Sequence, residues 1–460
     1  MDATSNPLYA DAMAIEIAQA VRAGAVSARA VVDAALARIE ARNPAINAFT
    51  AVATSRARER ALRLDEARRA GAPLGELAGV PFGVKAMIDV AGLTTTAGSV
   101  LYRDATPATD DAAAVRALEA AGAVCVGALN MDEFGMGGTT ENACFGPTRN
   151  PHDPARTPGG SSGGCAAAVA AGLVPLAIGS DGLGSIRLPA ALCGVYGLRP
   201  TRGTISDEGV LGAGGTIATL GPLARCAADI ALCQRALCTR PQPREPLVEP
   251  LTSDGPIRLA TAGGYFRECL DADAGDALSR ATEALGITRE IEFPQARRAR
   301  AAATLVNASE SAVGKLDALR QRLDKFDPAT RERFLAHALL PVQWYLHGQR
   351  FRRWHIKEVM RLFGEIDVLV VPATPCVAPP IGTPMLRVGE SELPTGPALG
   401  WFTQPLAGTD CPALSVPIAR PGRLPSGVQL FGPPHGEDLL LRVAARLEVL
   451  GVAAAPVAAR

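Results

Sequence analysis

Two glycine- and serine-rich segments hold the residue types from which a nucleophile can be built. They are Gly159-Gly160-Ser161-Ser162-Gly163-Gly164 and Gly179-Ser180-Asp181-Gly182-Leu183-Gly184-Ser185-Ile186-Arg187. Glycine admits backbone conformations closed to other residues and lets the main chain approach a ligand closely. A serine after such a turn can project into a pocket, and the backbone N–H groups before it can converge on a developing oxyanion. One such turn commonly does no more than join core elements. Two of them, with a lysine upstream, point to chemistry. That lysine is Lys85, which ends the apolar run Val80 to Val84. Lysine is a general base only when neutral, and burial in apolar surroundings pulls its pKa down from about 10.4.

Other chemistries compete for the same residues. A phosphate-cradling loop needs a Gly-Lys-Ser/Thr after its glycines, and neither turn has one. Gly160-Ser161-Ser162-Gly163-Gly164 formally matches the G-x-S-x-G nucleophile elbow. That match would make Ser162 the nucleophile and require a later acid and histidine. Of the histidines at 152, 337, 347, 355 and 435, only His435 stands where a C-terminal triad histidine would. Its turn, Pro434-His435-Gly436-Glu437, is more commonly home to a solvated loop residue. Asp181 and Arg187 flank the second turn and read as an ion pair holding it. The ten cysteines, at 125, 144, 165, 193, 226, 233, 238, 269, 376 and 411, contain no C-x-x-C pair and no nearby histidine. No metal site is therefore expected. They read as small buried hydrophobes in a reducing compartment.

The elements that must position these residues alternate. Ser27 can cap a helix over 28–42, ended by Asn43-Pro44, and Arg56 to Arg69 is a second helical run. Residues 1–70 thus read as an outer helical layer. Asp110 and Asp111 can open a helix running through Ala121, followed by a strand at Val124 to Val126. Helix 163–172 and strand 174–178 repeat the unit. The pattern predicts an α/β fold, with a mixed twisted β-sheet core covered by α-helices on both faces. The stretch 79–203 is the expected catalytic core, 240–256 a Pro-rich surface linker, and 297–365 a helical insertion. Asp367 to Val371, Ser415 to Ile418 and Val428 to Phe431 read as late strands that return to the same sheet, making one large domain over 1–460.

Lys plus Arg and Asp plus Glu both number 46. That balance gives no electrostatic case for nucleic acid or an anionic membrane. The apolar stretch Cys165 to Ile178 is too short to span a bilayer, and the N-terminus does not read as a signal peptide. A cytoplasmic protein is expected.

Together, the strand-end lysine, the Gly-Gly-Ser-Ser-Gly-Gly turn and the Gly-Ser-Ile-Arg segment resemble the amidase-signature family. In that family the first serine of the Ser pair stands as far before the nucleophile as Ser161 stands before Ser185. The resemblance implies an amidohydrolase with a Ser-cis-Ser-Lys triad: Lys85 as base, Ser161 as proton-relaying bridge after a cis peptide bond, and Ser185 as nucleophile. It implies an oxyanion hole from the backbone of Gly182, Leu183, Gly184 and Ser185, and a substrate pocket touched by Gly135, Gly137 and Gly138. No metal or organic cofactor is implied. Several stretches outside the core, among them residues 128–134, 146–153 and 349–353, are similar to the carboxybiuret hydrolases of that family. They imply a small ureide bearing a carboxylate, and a homodimer or a complex with a small helical partner subunit. The alternatives are a glutaminase-type subunit of an amidotransferase and a general aliphatic or aryl amidase. The sequence departs from the family at Gly182-Leu183, where Thr and Asn or Gly are usual, at Ala86 after the lysine, and at Cys165. Residues 206–219 lack the aromatic and basic residues expected of the subgroup. Arg350, Arg352 and Arg353 could bind a carboxylate, though an exposed helix face is their ordinary place.

Overall fold

A computed structural model describes residues 11–212, 215–239 and 257–458. Eleven strands form one sheet. They are β1 (Phe49–Val52), β2 (Pro81–Lys85), β3 (Val124–Leu129), β4 (Leu176–Asp181), β5 (Tyr196–Arg199) and β6 (Thr219–Ala224), then β7 (Leu259–Ala262), β8 (Glu290–Ile291), β9 (Val368–Pro372), β10 (Ala413–Pro417) and β11 (Gly427–Phe431). Their order across the sheet is β1-β3-β2-β4-β6-β5-β10-β11-β9-β7-β8. β2 runs parallel to both β3 and β4, while β4, β6, β5, β10, β11 and β9 succeed one another antiparallel. The sheet is mixed, and the three late strands lie in it as expected.

Both faces are covered, and the alternation along β9 shows it. Val368 and Val370 join one apolar cluster, whereas Leu369 and Val371 join another. The first cluster packs under the helices α1 (Ala14–Ala23), α2 (Ala28–Ile46), α3 (Thr54–Arg69) and α4 (Ala113–Ala120). Between β3 and β5 come α5 (Gly163–Ala170), which is buried along its whole length, and α6 (Arg187–Cys193). The helices α7 (Ala227–Leu237) and α8 (Ala272–Ala284) follow. The other side carries α9 (Ala296–Val313), α10 (Leu316–Gln321), α11 (Pro328–Ala338) and α12 (Val342–Leu362).

Two boundaries differ from expectation for physical reasons. Ser27 does cap α2, accepting from Ala30 N–H at 3.0 Å, but the helix runs past Pro44 to Ile46. Asn47 ends it in the left-handed region, while Asn43 turns its amide to the backbone of Phe49. Asp111 does not open α4, because its carboxylate is taken by Ala91 N–H and by Arg56. The predicted linker at 240–256 lies outside the described residues. The ten cysteines are thiols, five of them buried.

Candidate active site

β2 and β4 are parallel neighbours, with Val84 beside Ile178, so Lys85 and Ser180 emerge together at the carboxyl edge of the sheet. Ligands of α/β sheets are commonly held at that edge. Lys85 is fully buried. Its Nζ donates to Ser161 Oγ at 2.7 Å and to Ser180 Oγ at 2.9 Å. Burial pushes the lysine pKa down to about 8. Ser161 enters from the turn before α5, and the Gly160–Ser161 peptide bond is cis. Residue 160 must be glycine, since a Cβ there would collide with the Asp132 carboxylate.

Ser185 lies between β4 and α6, and the Ser162 N–H donates to its carbonyl at 3.1 Å, tying the two serine turns together. The loop is fixed from within by Asp181. Its carboxylate accepts from Gly184 N–H at 2.7 Å, from Ile186 N–H at 3.3 Å and from Arg187 Nε at 2.9 Å. Burial alone would raise the pKa of Asp181. The charge of Arg187, its hydrogen bonds and the nearby Arg199 outweigh burial and hold it at about 2. Arg187 also donates to Gln429 Oε1 and to the Thr403 carbonyl. Asp181 and Arg187 are therefore structural, as the sequence suggested. Gly184 has φ +128°, and a Cβ on it would strike Thr403.

A cavity of about 540 Å³ opens over these groups. Ser161, Ser180, Ser185 and the backbone of Gly182 to Gly184 line it, as do Gly135 and Gly137. Gly138 stands behind the wall, against Gly396. The Leu183 side chain packs with Ile217, Ala303 and Val306, making that part of the wall apolar. The Gly184 N–H is already engaged by Asp181, so it reaches an oxyanion only as a shared donor. Ser162 is not at the cavity. Its Oγ donates to the Ser180 carbonyl, which is at odds with the elbow reading. Arg352 is buried against the Gly408 carbonyl and Asp410, and Arg350 and Arg353 are exposed on α12 away from the cavity.

Sequence reasoning passed over four residues. Ser180 stood within the quoted turn, where its side-chain direction follows from the register of β4. Asp132 is buried beside the Lys85–Ser161 unit. It accepts from Thr140 N–H at 2.9 Å through one oxygen, while the other has no partner among the described residues. Burial drives its pKa up to about 7 against the pull of Lys85. Arg333 and Lys315 line the cavity from α11 and from the start of α10. No local pattern in the sequence sets them apart from the many other cations of that helical region.

The family model described as Amidase matches residues 30–441. AtzE of Pseudomonas sp. (strain ADP), which belongs to a 1-carboxybiuret hydrolase, is 44% identical over 452 residues, covering 95% of this chain and 98% of that protein. A glutamyl-tRNA(Gln) amidotransferase component from Chloroflexus aurantiacus (strain ATCC 29366 / DSM 635 / J-10-fl) is 36% identical over 464 residues, covering 92% and 93%. A solved structure of a vestigial protein complex, described as revealing the evolutionary origins of an s-triazine catabolic enzyme, superposes with a TM-score of 0.92. It is 42% identical and covers 96% of this chain and 99% of its own.

Proposed function

This chain belongs to the amidase family and is a hydrolase of carbon–nitrogen bonds other than peptide bonds, and we propose that it works through Lys85, Ser161 and Ser185. The observation that carries this reading is the fully buried Lys85 amine, 2.7 Å from Ser161 Oγ at the floor of a cavity that Ser185 also lines. Neutral Lys85 takes the Ser161 proton as Ser161 takes that of Ser185. Ser185 Oγ bonds to the amide carbon, and the oxyanion faces the N–H groups of Gly182, Leu183 and Ser185, with Gly184 shared with Asp181. The proton then passes back through Ser161 to the leaving nitrogen, and ammonia departs. Water cleaves the resulting ester by the same relay, giving a carboxylic acid and restoring Ser185. No metal or organic cofactor takes part in this scheme.

The substrate we infer is a small ureide with a carboxylate, of the 1-carboxybiuret type. The support is the likeness to AtzE over nearly the full length of both chains, together with Arg333. The Arg333 guanidinium lines the cavity and donates to the Met136 carbonyl at 2.8 Å. It has no ion-pair partner among the described residues, so it is fitted to a carboxylate. The apolar Leu183 wall narrows the choice at the acyl end. We infer a cytoplasmic enzyme, in keeping with its ten thiols, that acts as a homodimer or with a small helical partner.

Ammonia release from biuret, carboxybiuret, malonamate, glutamine, indoleacetamide and aliphatic amides, with and without Ser185→Ala, tests this function. Serine-dependent release from a ureide supports the whole reading. Release from glutamine instead favours the glutaminase-type role. Undiminished release by Ser185→Ala sinks the mechanism.

A further inference from the structure

The lining of the cavity is unevenly charged. Arg300, Lys315 and Arg333 line it, against Asp207 and Glu310. Asp207 is exposed to solvent. Glu310 is spent on neutral donors: Thr216 N–H at 2.7 Å, Thr216 Oγ1 at 2.6 Å and Tyr345 Oη at 3.2 Å. Arg300 is occupied as well, stacked 4.3 Å over the Trp401 ring and bonded to Gln404 Oε1 at 2.8 Å.

Lys315 is held differently. Its Nζ lies 4.9 Å from the ring centre of Phe134 and 5.5 Å from that of Phe334, two rings that meet edge to face. An ammonium has three donors. Among the described residues Lys315 spends one of them, on the Ser311 carbonyl at 3.2 Å. Glu133 is the carboxylate whose charge it feels most. Yet Glu133 is bound through one oxygen to Ser99 and through the other to Thr330 and to Asp327 N–H, and forms no ion pair with Lys315. Phe134 also precedes Gly135, where an added Cβ would come within 3.4 Å of Ser161 Oγ. The ammonium is thus held against two aromatic rings on the cavity wall, with donors unspent among the described residues.

Such an arrangement receives an anion. We propose that Lys315 is a specificity-determining residue: it binds an anionic group at the end of the substrate remote from the scissile amide, together with Arg333. The proposal rests on the amidase reading above and assigns Lys315, beside Arg333, to the carboxylate of its substrate. The plain alternative is that Lys315 only satisfies the last carbonyls of α9, as cations near helix C-termini commonly do.

Calorimetric titration of the full chain carrying Ser185→Ala separates these roles. Malonamate, succinamate and glutaramate are each compared with the corresponding neutral diamide, then again in the background of Lys315→Met and of Lys315→Arg. At least one acid should bind more tightly than its diamide. Lys315→Met should weaken that acid about tenfold or more while leaving the diamide unchanged, and Lys315→Arg should restore much of the difference. Equal binding of every acid and diamide, or equal loss of both in Lys315→Met, would overturn the proposal. Hydrolysis is measured in parallel with Ser185 intact. Charge-selective binding with no hydrolysis of these acids or of carboxybiuret would retain the role of Lys315 and discard the proposed function. Hydrolysis indifferent to Lys315 would do the reverse.

Discussion

The two sides of the cavity are made in different ways. On one side, Lys85, Ser161 and the Asp181 loop sit on strand ends and glycine turns, with Lys85, Ser161 and Asp181 buried and bonded to their neighbours. On the other, α9, α10 and α11 present cations, aromatic rings and partly exposed polar groups. The first side can move a proton at defined atoms. The second can distinguish one ligand from another, and it can change without disturbing the first. On the proposed mechanism, chemistry belongs to the sheet edge and selection to the helices.

Four substitutions sharpen or break that division. The largest effect is expected from Lys85→Ala, with kcat reduced about 10³- to 10⁴-fold or more and the fold retained by circular dichroism. A rate within about tenfold of the parent would remove the lysine from the mechanism. Next comes Asp181→Ala, which leaves the buried Arg187 and Arg199 without their carboxylate. Chemical denaturation should show a loss of about 3–5 kcal/mol, far more than the about 0–1 kcal/mol typical of an exposed pair. On the helical side, Arg333→Gln should raise KM for a carboxylated amide about 10- to 100-fold with kcat little changed. An equal fall in kcat would join that wall to the chemistry and break the comparison.

The smallest effect concerns pH. The proposed mechanism requires neutral Lys85, so kcat/KM should climb through about pH 8. The ionised Asp132 favours protonated Lys85, so Asp132→Asn should move that limb to lower pH. Stability carries the complementary signature. A carboxyl raised to about 7 binds protons more tightly folded than unfolded, so its contribution is lost as pH rises from the ordinary carboxylate range through 7. Urea midpoints should fall less over that window in Asp132→Asn. An unchanged rate limb and unchanged midpoints would detach Asp132 from Lys85.

The same division explains what could be read in advance. β2 ending at Lys85, the two serine turns and the helix–strand unit between them are local in sequence, and each has a composition that few alternatives share. The ion pair of Asp181 with Arg187 is likewise local. Arg333 and Lys315 reach the cavity only through the packing of α9 to α12 against the sheet, and the sequence there is a run of ordinary amphipathic helix. Asp132 escaped for a related reason: its burial under Gly160 depends on a turn that comes well after it in the chain. The start of α4 was misplaced because Asp111 found partners in Ala91 and Arg56, a tertiary use that no capping rule foresees.

Asp181 has a consequence for the order in which the protein comes into being. The arginines that clamp it are themselves held by late segments: Arg187 by Thr403 and Gln429, and Arg199 by the carbonyls of Ala407 and Cys411. During synthesis, Lys85, Ser161 and Ser185 leave the ribosome long before those anchors exist. A nascent chain stopped just short of Thr403 would carry every group of the proposed mechanism and the Asp181–Arg187 pair, but not the anchors that hold Arg187 and Arg199. On the proposed mechanism, the site gains its full support only with the last strands.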